Sequence, residues 1–276
     1  MKCLVKNEPA VGLTLKEVEK PSPKDNEILI KVKKAAICGT DLHIWNWDSW
    51  AQEKIKPPMT VGHEFMGVIE EVGKKIKNFK IGDRVSVESH ITGTKSRNAR
   101  AGKLHLDPDT VNLGVDTDGA FAEYVKVPES NVVPLPDSVS DEVGAILDPF
   151  GNAVHATLSF DLVGEDVLIT GAGPIGIMSA AIAEHVGARR ILLSDVNDHR
   201  LELAKKVCSA ELLNPTNSSI ILKFLKFLFD CIVFTNSSLI KNMIFLFFKS
   251  FTFKLSGLIF LDLWEVKNTR LGSLNP

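Results

Sequence analysis

The sequence predicts an α/β chain whose β-rich N-terminal domain is followed by a βαβ unit and a tail of different composition, and three observations predict it. Runs of β-branched residues, punctuated by Pro, Gly, Asn and Asp, fill roughly the first 150 residues. From Glu165 the rhythm changes to strand, glycine turn, helix and strand. Beyond Pro215 the composition breaks abruptly. These features divide the chain into residues 1–150, 151–215 and 216–276, with the first boundary between Asp148 and Thr157.

Taken in order, Glu27-Ile-Leu-Ile-Lys-Val and Gly67-Val-Ile-Glu-Glu-Val are β-branched runs with partial alternation, and read as short strands joined by loops. Asp166-Val-Leu-Ile-Thr is a short apolar strand. The helix-forming stretch Ile177–Val186 follows, and Arg190-Ile-Leu-Leu-Ser-Asp closes one βαβ unit.

The whole chain of 276 residues, 45% apolar and 24% charged, has the composition of a soluble globular protein and excludes disorder, collagen and coiled coil. A net charge of −2 gives no global attraction to nucleic acid or to an anionic membrane. Four widely spaced cysteines and a Met-Lys-Cys start without a secretory apolar region argue for thiols and a cytoplasmic address. The last 61 residues obey other rules: they hold ten of the 15 Phe, two of the 19 Gly and no Ala, and their net charge is +4 against −6 for the rest. Ile220–Phe234 is apolar but broken by Lys223, Lys226 and Asp230, and is shorter than the roughly 20 residues of a membrane span. A shift of reading frame near Asn214 in AT-rich coding sequence accounts for such a change of composition.

Gly171-Ala-Gly-Pro-Ile-Gly176 satisfies G-x-G-x-x-G directly between the strand and the helix, and Asp195 stands 19 residues beyond Gly176 at the end of the next strand. Gly171, Gly173, Ile175 and Gly176 thus form the turn on which a dinucleotide pyrophosphate meets backbone N–H groups at a helix N-terminus. The Asp195 carboxylate suits ribose hydroxyls and so favours NAD over NADP. Arg200 is placed to reach the adenosine side, although a solvated helix charge explains its position equally well.

A second constellation, Cys38-Gly-Thr-Asp-Leu-His43 with Gly62-His-Glu64, gathers a thiol, two imidazoles and two carboxylates within 26 positions. Cys38, His63 and Glu64 have the chemistry of three protein ligands to a catalytic zinc; a buried thiol beside a surface His-Glu pair is the competing reading.

In this order, the Cys38, Gly62 and Gly171 motifs resemble the zinc-dependent medium-chain alcohol dehydrogenase family. Asn46-Trp-Asp-Ser-Trp50, Asp148–His155 and Ser159–Leu168 resemble its threonine-oxidising branch, and the resemblance runs from about Met1 to about Pro215. It implies a GroES-like catalytic domain, a Rossmann NAD-binding domain left incomplete, and oxidation of L-threonine to 2-amino-3-oxobutanoate with NAD. It implies Cys38, His63 and Glu64 as ligands of one catalytic zinc, Thr40 and His43 as a proton relay, and Asp148 as an acid near the metal, either a transient ligand or an orienting group. Relatives are commonly tetramers, and the resemblance gives no reason to expect a nucleic-acid or membrane partner.

Two departures stand out. At the four positions where family members place cysteines around a structural zinc, this chain has Gly93, Ser96, Ala99 and Asp107, so that zinc is expected to be absent and residues 91–107 to form a looser loop. Nothing after Pro215 matches, which leaves the nicotinamide end without its expected wall. Two other readings are therefore carried forward: a decayed relative that at most binds zinc, and a zinc-dependent polyol or other alcohol dehydrogenase.

Overall fold

The computed structural model describes residues 1–216 and, as a strand, the backbone of Ile244–Phe247. The chain divides into two compact units, Met1–Pro149 and Phe150–Pro276. The first is β-rich and the second α/β, which is the predicted fold class.

In the first unit the strands are β1 (Lys2–Lys6), β2 (Thr14–Glu17), β3 (Glu27–Ala36), β4 (Met59–Thr60), β5 (Glu64–Val72), β6 (Arg84–Val87), β7 (His90–Ile91), β8 (Val111–Asn112), β9 (Tyr124–Pro128) and β10 (Val132–Pro134). An antiparallel sheet of order β10-β6-β5-β3-β9 forms its centre, beside the smaller sheets β2-β1-β4 and β7-β8. Along β3, Ile28, Leu29 and Ile30 are all fully buried, because the strand is covered on both faces; this explains why alternation in the sequence is only partial. A register irregularity between Leu29 and Ile30 goes with it. Ile28, Ile30, Phe65, Ile69, Val85 and Val127 belong to the core on one side of this sheet.

Helices that the strand-and-loop reading of this unit does not anticipate are α1 (Gly39–Asn46), α2 (Ser49–Lys54), α3 (Arg97–Arg100), α4 (Asp141–Ala145) and the start of α5 (Leu147–Leu158). They are short, so their signals lie in the caps rather than in periodicity. Asp48, Ser96 and Ser140 each accept a backbone N–H of the first turn, from Ala51, Ala99 and Val143. Ile44, Ala51, Ile55, Met59 and Val61 pack α1 and α2 onto a second core with Trp47, Trp50 and Phe121.

The second unit holds β11 (Asp166–Thr170), α6 (Pro174–His185), β12 (Arg190–Ser194), α7 (Asp198–Ala204), β13 (Glu211–Leu213) and β14 (Ile244–Phe247). All strands are parallel, in the order β13-β12-β11-β14. Val167, Ile169 and Leu193 are fully buried, as a sheet covered by helices requires. The helix begins three residues earlier than the apolar pattern suggests, because Pro174 takes the first helical position, where it needs no N–H partner. Beyond Pro215 the sequence offers no clean period, yet Ile244–Phe247 pairs with Val167–Thr170 as a fourth parallel strand. The reading of Ile220–Phe234 lies outside the described residues. Among the described residues no helix is long and apolar enough to cross a membrane.

Candidate active site

The chain leaves β3 and turns at Cys38, which takes the N-cap position of α1 with extended backbone. Asp41, three residues on, closes the cap by accepting the Cys38 N–H at 2.8 Å. In the link between β4 and β5 Gly62 adopts φ +95°, and a Cβ there would stand 2.3 Å from the Phe121 ring, so only glycine lets the chain place His63 directly before Glu64 at the head of β5. The two segments meet: donor atoms of Cys38, His63 and Glu64 lie within 4.8 Å of one another.

His63 and Glu64 are buried, and Asp41 more so. Burial raises the Glu64 and Asp41 carboxyls above their ordinary values. Burial alone would lower the His63 pKa, but the Cys38 side chain and then the Asp41 and Asp148 charges outweigh it and raise it to about 9. The side chains that depart from their ordinary values here are thus those of a crowded anionic pocket. A half-buried thiol converging with a buried imidazole and a buried carboxylate fits a divalent ion of borderline softness, and zinc is the ion that this donor set suits. Two further buried atoms, Asp41 Oδ1 and His63 Nδ1, face each other at 3.7 Å with no hydrogen-bond partner among the described residues. Asp41, counted in the sequence only as one of the constellation's two carboxylates, is the site residue to which the sequence reading gives no role. Its signal is an acid at the third helical position after a cysteine cap, which reads as helix chemistry until the fold brings His63 beside it.

Asp148 accepts the Ser89 hydroxyl at 2.5 Å and groups with Glu88 and His90, whose ring Nδ1 lies 2.6 Å from the Glu88 carboxylate. That hydrogen bond holds the Glu88 carboxyl below its ordinary range. The Asp148 charge raises the pKa of both His63 and Glu64. Thr40 and His43 stand one turn apart on α1, half-buried and on the same face.

In the second unit the glycine turn is built as the motif demands. Gly171 has φ +97°, and a Cβ on Gly176 would lie 1.9 Å from the Gly171 carbonyl oxygen, so the helix start packs directly on the turn. Gly173 caps α6 and has open space where its side chain would be, while Ile175 is half-buried in the first turn. Asp195, at the end of β12, accepts the Ala172 N–H at 2.8 Å and the Asn197 N–H at 2.8 Å, and Arg200 Nη1 lies 3.5 Å from it. The turn, the acid and the arginine are therefore brought together, with the exposed Arg200 ion-paired to Asp195.

The 91–107 segment is not the loose loop expected. Gly and Ala offer no donor side chain, so the four positions do not fit a tetrahedral metal. A carboxylate links part of the segment instead: buried Asp107 accepts the Gly93 N–H at 2.5 Å and has the Ser96 hydroxyl beside it, and Ser96 accepts the Ala99 N–H at 3.0 Å. These contacts hold its carboxyl below its ordinary range, the Ser96 hydroxyl contributing most.

Residues 24–137 match the alcohol dehydrogenase GroES-like domain. The chain is similar to an L-threonine 3-dehydrogenase of Rhizobium johnstonii, 59% identical over 207 residues that cover 75% of this chain and 60% of that protein. It is similar to a second L-threonine 3-dehydrogenase, of Burkholderia mallei, 55% identical over 80% of this chain and 64% of that protein. Among solved structures it resembles galactitol-1-phosphate dehydrogenase from Escherichia coli, with TM-score 0.75 and 28% identity over 82% of this chain and 65% of that one. An alcohol dehydrogenase from E. coli CFT073 complexed with NADH gives TM-score 0.75 and 31% identity over 82% of this chain and 66% of that one. The chain thus spans 60 to 64% of the length of these curated relatives.

Proposed function

The chain belongs to the zinc-dependent medium-chain alcohol dehydrogenase family, and from that premise we propose that it oxidises L-threonine to L-2-amino-3-oxobutanoate with NAD as the hydride acceptor. The observation that carries this reading is the convergence of half-buried Cys38 with buried His63 and Glu64 within 4.8 Å. The names of the two curated relatives support threonine as the substrate, and the NADH-bound neighbour supports a nicotinamide cofactor.

Cys38, His63 and Glu64 would hold one zinc, with Asp41 orienting the His63 ring from behind. When bound, zinc supplies Lewis acidity toward the substrate's hydroxyl oxygen. Oxidation removes a hydride from the carbinol carbon and a proton from that oxygen, and this chain's residues serve both departures. Thr40, a hydroxyl that accepts and donates at once, hands the proton to His43, which passes it to water. Asp148, steadied by Ser89, adds a carboxylate beside the ligands and acts as an orienting group.

The N–H groups of the Gly171–Gly176 turn and the N-terminus of α6 bind the pyrophosphate. Asp195 receives the ribose hydroxyls and disfavours a 2′-phosphate by charge, which makes NAD the cofactor. Arg200, 3.5 Å from Asp195, keeps that carboxylate in place and borders the adenosine.

The test is threonine-dependent formation of NADH by the purified full chain with added zinc, beside a Cys38→Ser variant and a zinc determination. The expected result is turnover with about one zinc per chain, both lost in Cys38→Ser. Soluble chain that holds the zinc but reduces no NAD would replace this reading with that of an inactive zinc-binding relative. Faster oxidation of sorbitol than of threonine would reassign the substrate to a polyol.

A further inference from the structure

His43 does not stand alone on α1. Trp47 ends the helix with left-handed backbone, φ 53°, and turns the chain so that Asp48 begins α2 while facing back toward the helix just left. The two carboxylate oxygens of Asp48 then do separate things. Oδ1 caps α2 by accepting the Ala51 N–H at 3.1 Å, and Oδ2 is hydrogen-bonded to His43 Nδ1. The Trp50 ring lies 5.9 Å from the imidazole, tilted by 56°, and closes the other side. A spacing of five residues is not a helical neighbour spacing, so the pair exists only because the corner between the helices has this shape.

An ionised carboxylate only accepts hydrogen bonds. Whatever it binds on a neutral imidazole must therefore be an N–H, and the ring's remaining nitrogen is left with its lone pair. The His43 hydrogen bond is also the main reason why the Asp48 carboxyl lies below its ordinary range.

We propose that Asp48 is the positioning residue of the proton relay: its carboxylate fixes the His43 ring and holds the Nδ1–H tautomer, so that Nε2 is the nitrogen that receives the proton. The assignment of a relay rests on the reading of this chain as an alcohol dehydrogenase. In the transfer the substrate O–H bond breaks and, through the Thr40 hydroxyl, an N–H bond forms on Nε2. The resulting imidazolium is balanced by the Asp48 carboxylate until Nε2 gives its proton to water. Asp48 touches neither the substrate nor the cofactor in this scheme and acts through His43.

The two duties of Asp48 can be separated. Serine caps a helix about as well as aspartate but is too short to reach His43, and asparagine keeps the cap while offering an amide that can donate to Nδ1. Two-bond proton–nitrogen NMR of the full chain, labelled with nitrogen-15 in histidine and assigned with a His43→Gln variant, reads the tautomer directly at a pH where the ring is neutral. The expected spectrum shows His43 protonated on Nδ1. In Asp48→Ser and Asp48→Asn that Nδ1–H population is lost and the two ring nitrogens exchange their chemical-shift positions, with the circular dichroism unchanged. A wild-type ring protonated on Nε2, or an Nδ1–H tautomer that persists in both variants, would overturn the assignment. A chain that shows the Nδ1–H tautomer yet reduces no NAD with threonine supports the pairing and removes the threonine reading.

Discussion

Asp107 illustrates how one side chain can replace a metal. It accepts the Gly93 N–H and has the Ser96 hydroxyl beside it, and so joins positions where a thiolate set would meet around an ion. A carboxyl whose folded pKa is depressed contributes stability above its unfolded value, about 3.9, and loses it as pH falls through the folded value. The 91–107 segment is therefore expected to open only in acid. The Gly93 amide NMR shift should titrate with a midpoint below the ordinary aspartate range, and Asp107→Ala should speed proteolysis of this segment at neutral pH; unchanged cleavage would show that the tie does not matter. Gly176 is a residue of the opposite kind, needed for what it lacks. A Cβ there meets the Gly171 carbonyl oxygen at 1.9 Å, so Gly176→Ala must move main chain, and NAD binding by calorimetry is expected to vanish while the zinc content stays. Both glycine motif and metal donors are legible in the sequence, because their chemistry fixes the residue type. Asp41 and Asp48 are not, since an acid in a first turn or at a cap reads as helix chemistry until the partner histidine arrives from elsewhere in the fold.

Among elements, β11 and β12 were legible because both are short apolar runs set around a glycine turn, and a parallel strand buried on two faces has no polar positions to confuse the pattern. Short helices were not, for α1 and α2 span eight and six residues and bury only part of one face. Leu193 is fully buried at the centre of β12. Leu193→Ala is expected to cost about 2–5 kcal/mol in the dinucleotide unit, from lost burial and the cavity left behind. The proposed ligands Cys38, His63 and Glu64 belong to the other compact unit, with its own core around Ile30 and Phe65. Zinc content is accordingly expected to survive Leu193→Ala under conditions where denaturant melting of the second unit moves to lower urea. Parallel loss of zinc would mean that the units fold as one.

For the whole molecule the informative strand is β14, whose backbone pairs with β11 along Val167–Thr170. It occupies the sheet edge opposite β13 and so covers a row of backbone groups that would otherwise invite association with another chain. A chain ended after Thr216 is expected to lose hydrogen-exchange protection at the amides of β11 that face β14 and to aggregate more readily; protection equal to that of the full chain would show that this edge does not depend on the tail. The sequence by itself determined the fold class and the βαβ unit with its Gly171–Gly176 turn and Asp195, because local periodicity and turn chemistry are written in residue type and spacing; Cys38, His63 and Glu64 were candidate donors by chemistry and by the family resemblance. Only the tertiary structure decided which carboxylates stand behind the two histidines, that Asp107 ties the 91–107 segment, and that Ile244–Phe247 extends the sheet. Those contacts join residues through corners and strand pairings, where the identity of a partner depends on the path of the backbone rather than on any neighbouring residue.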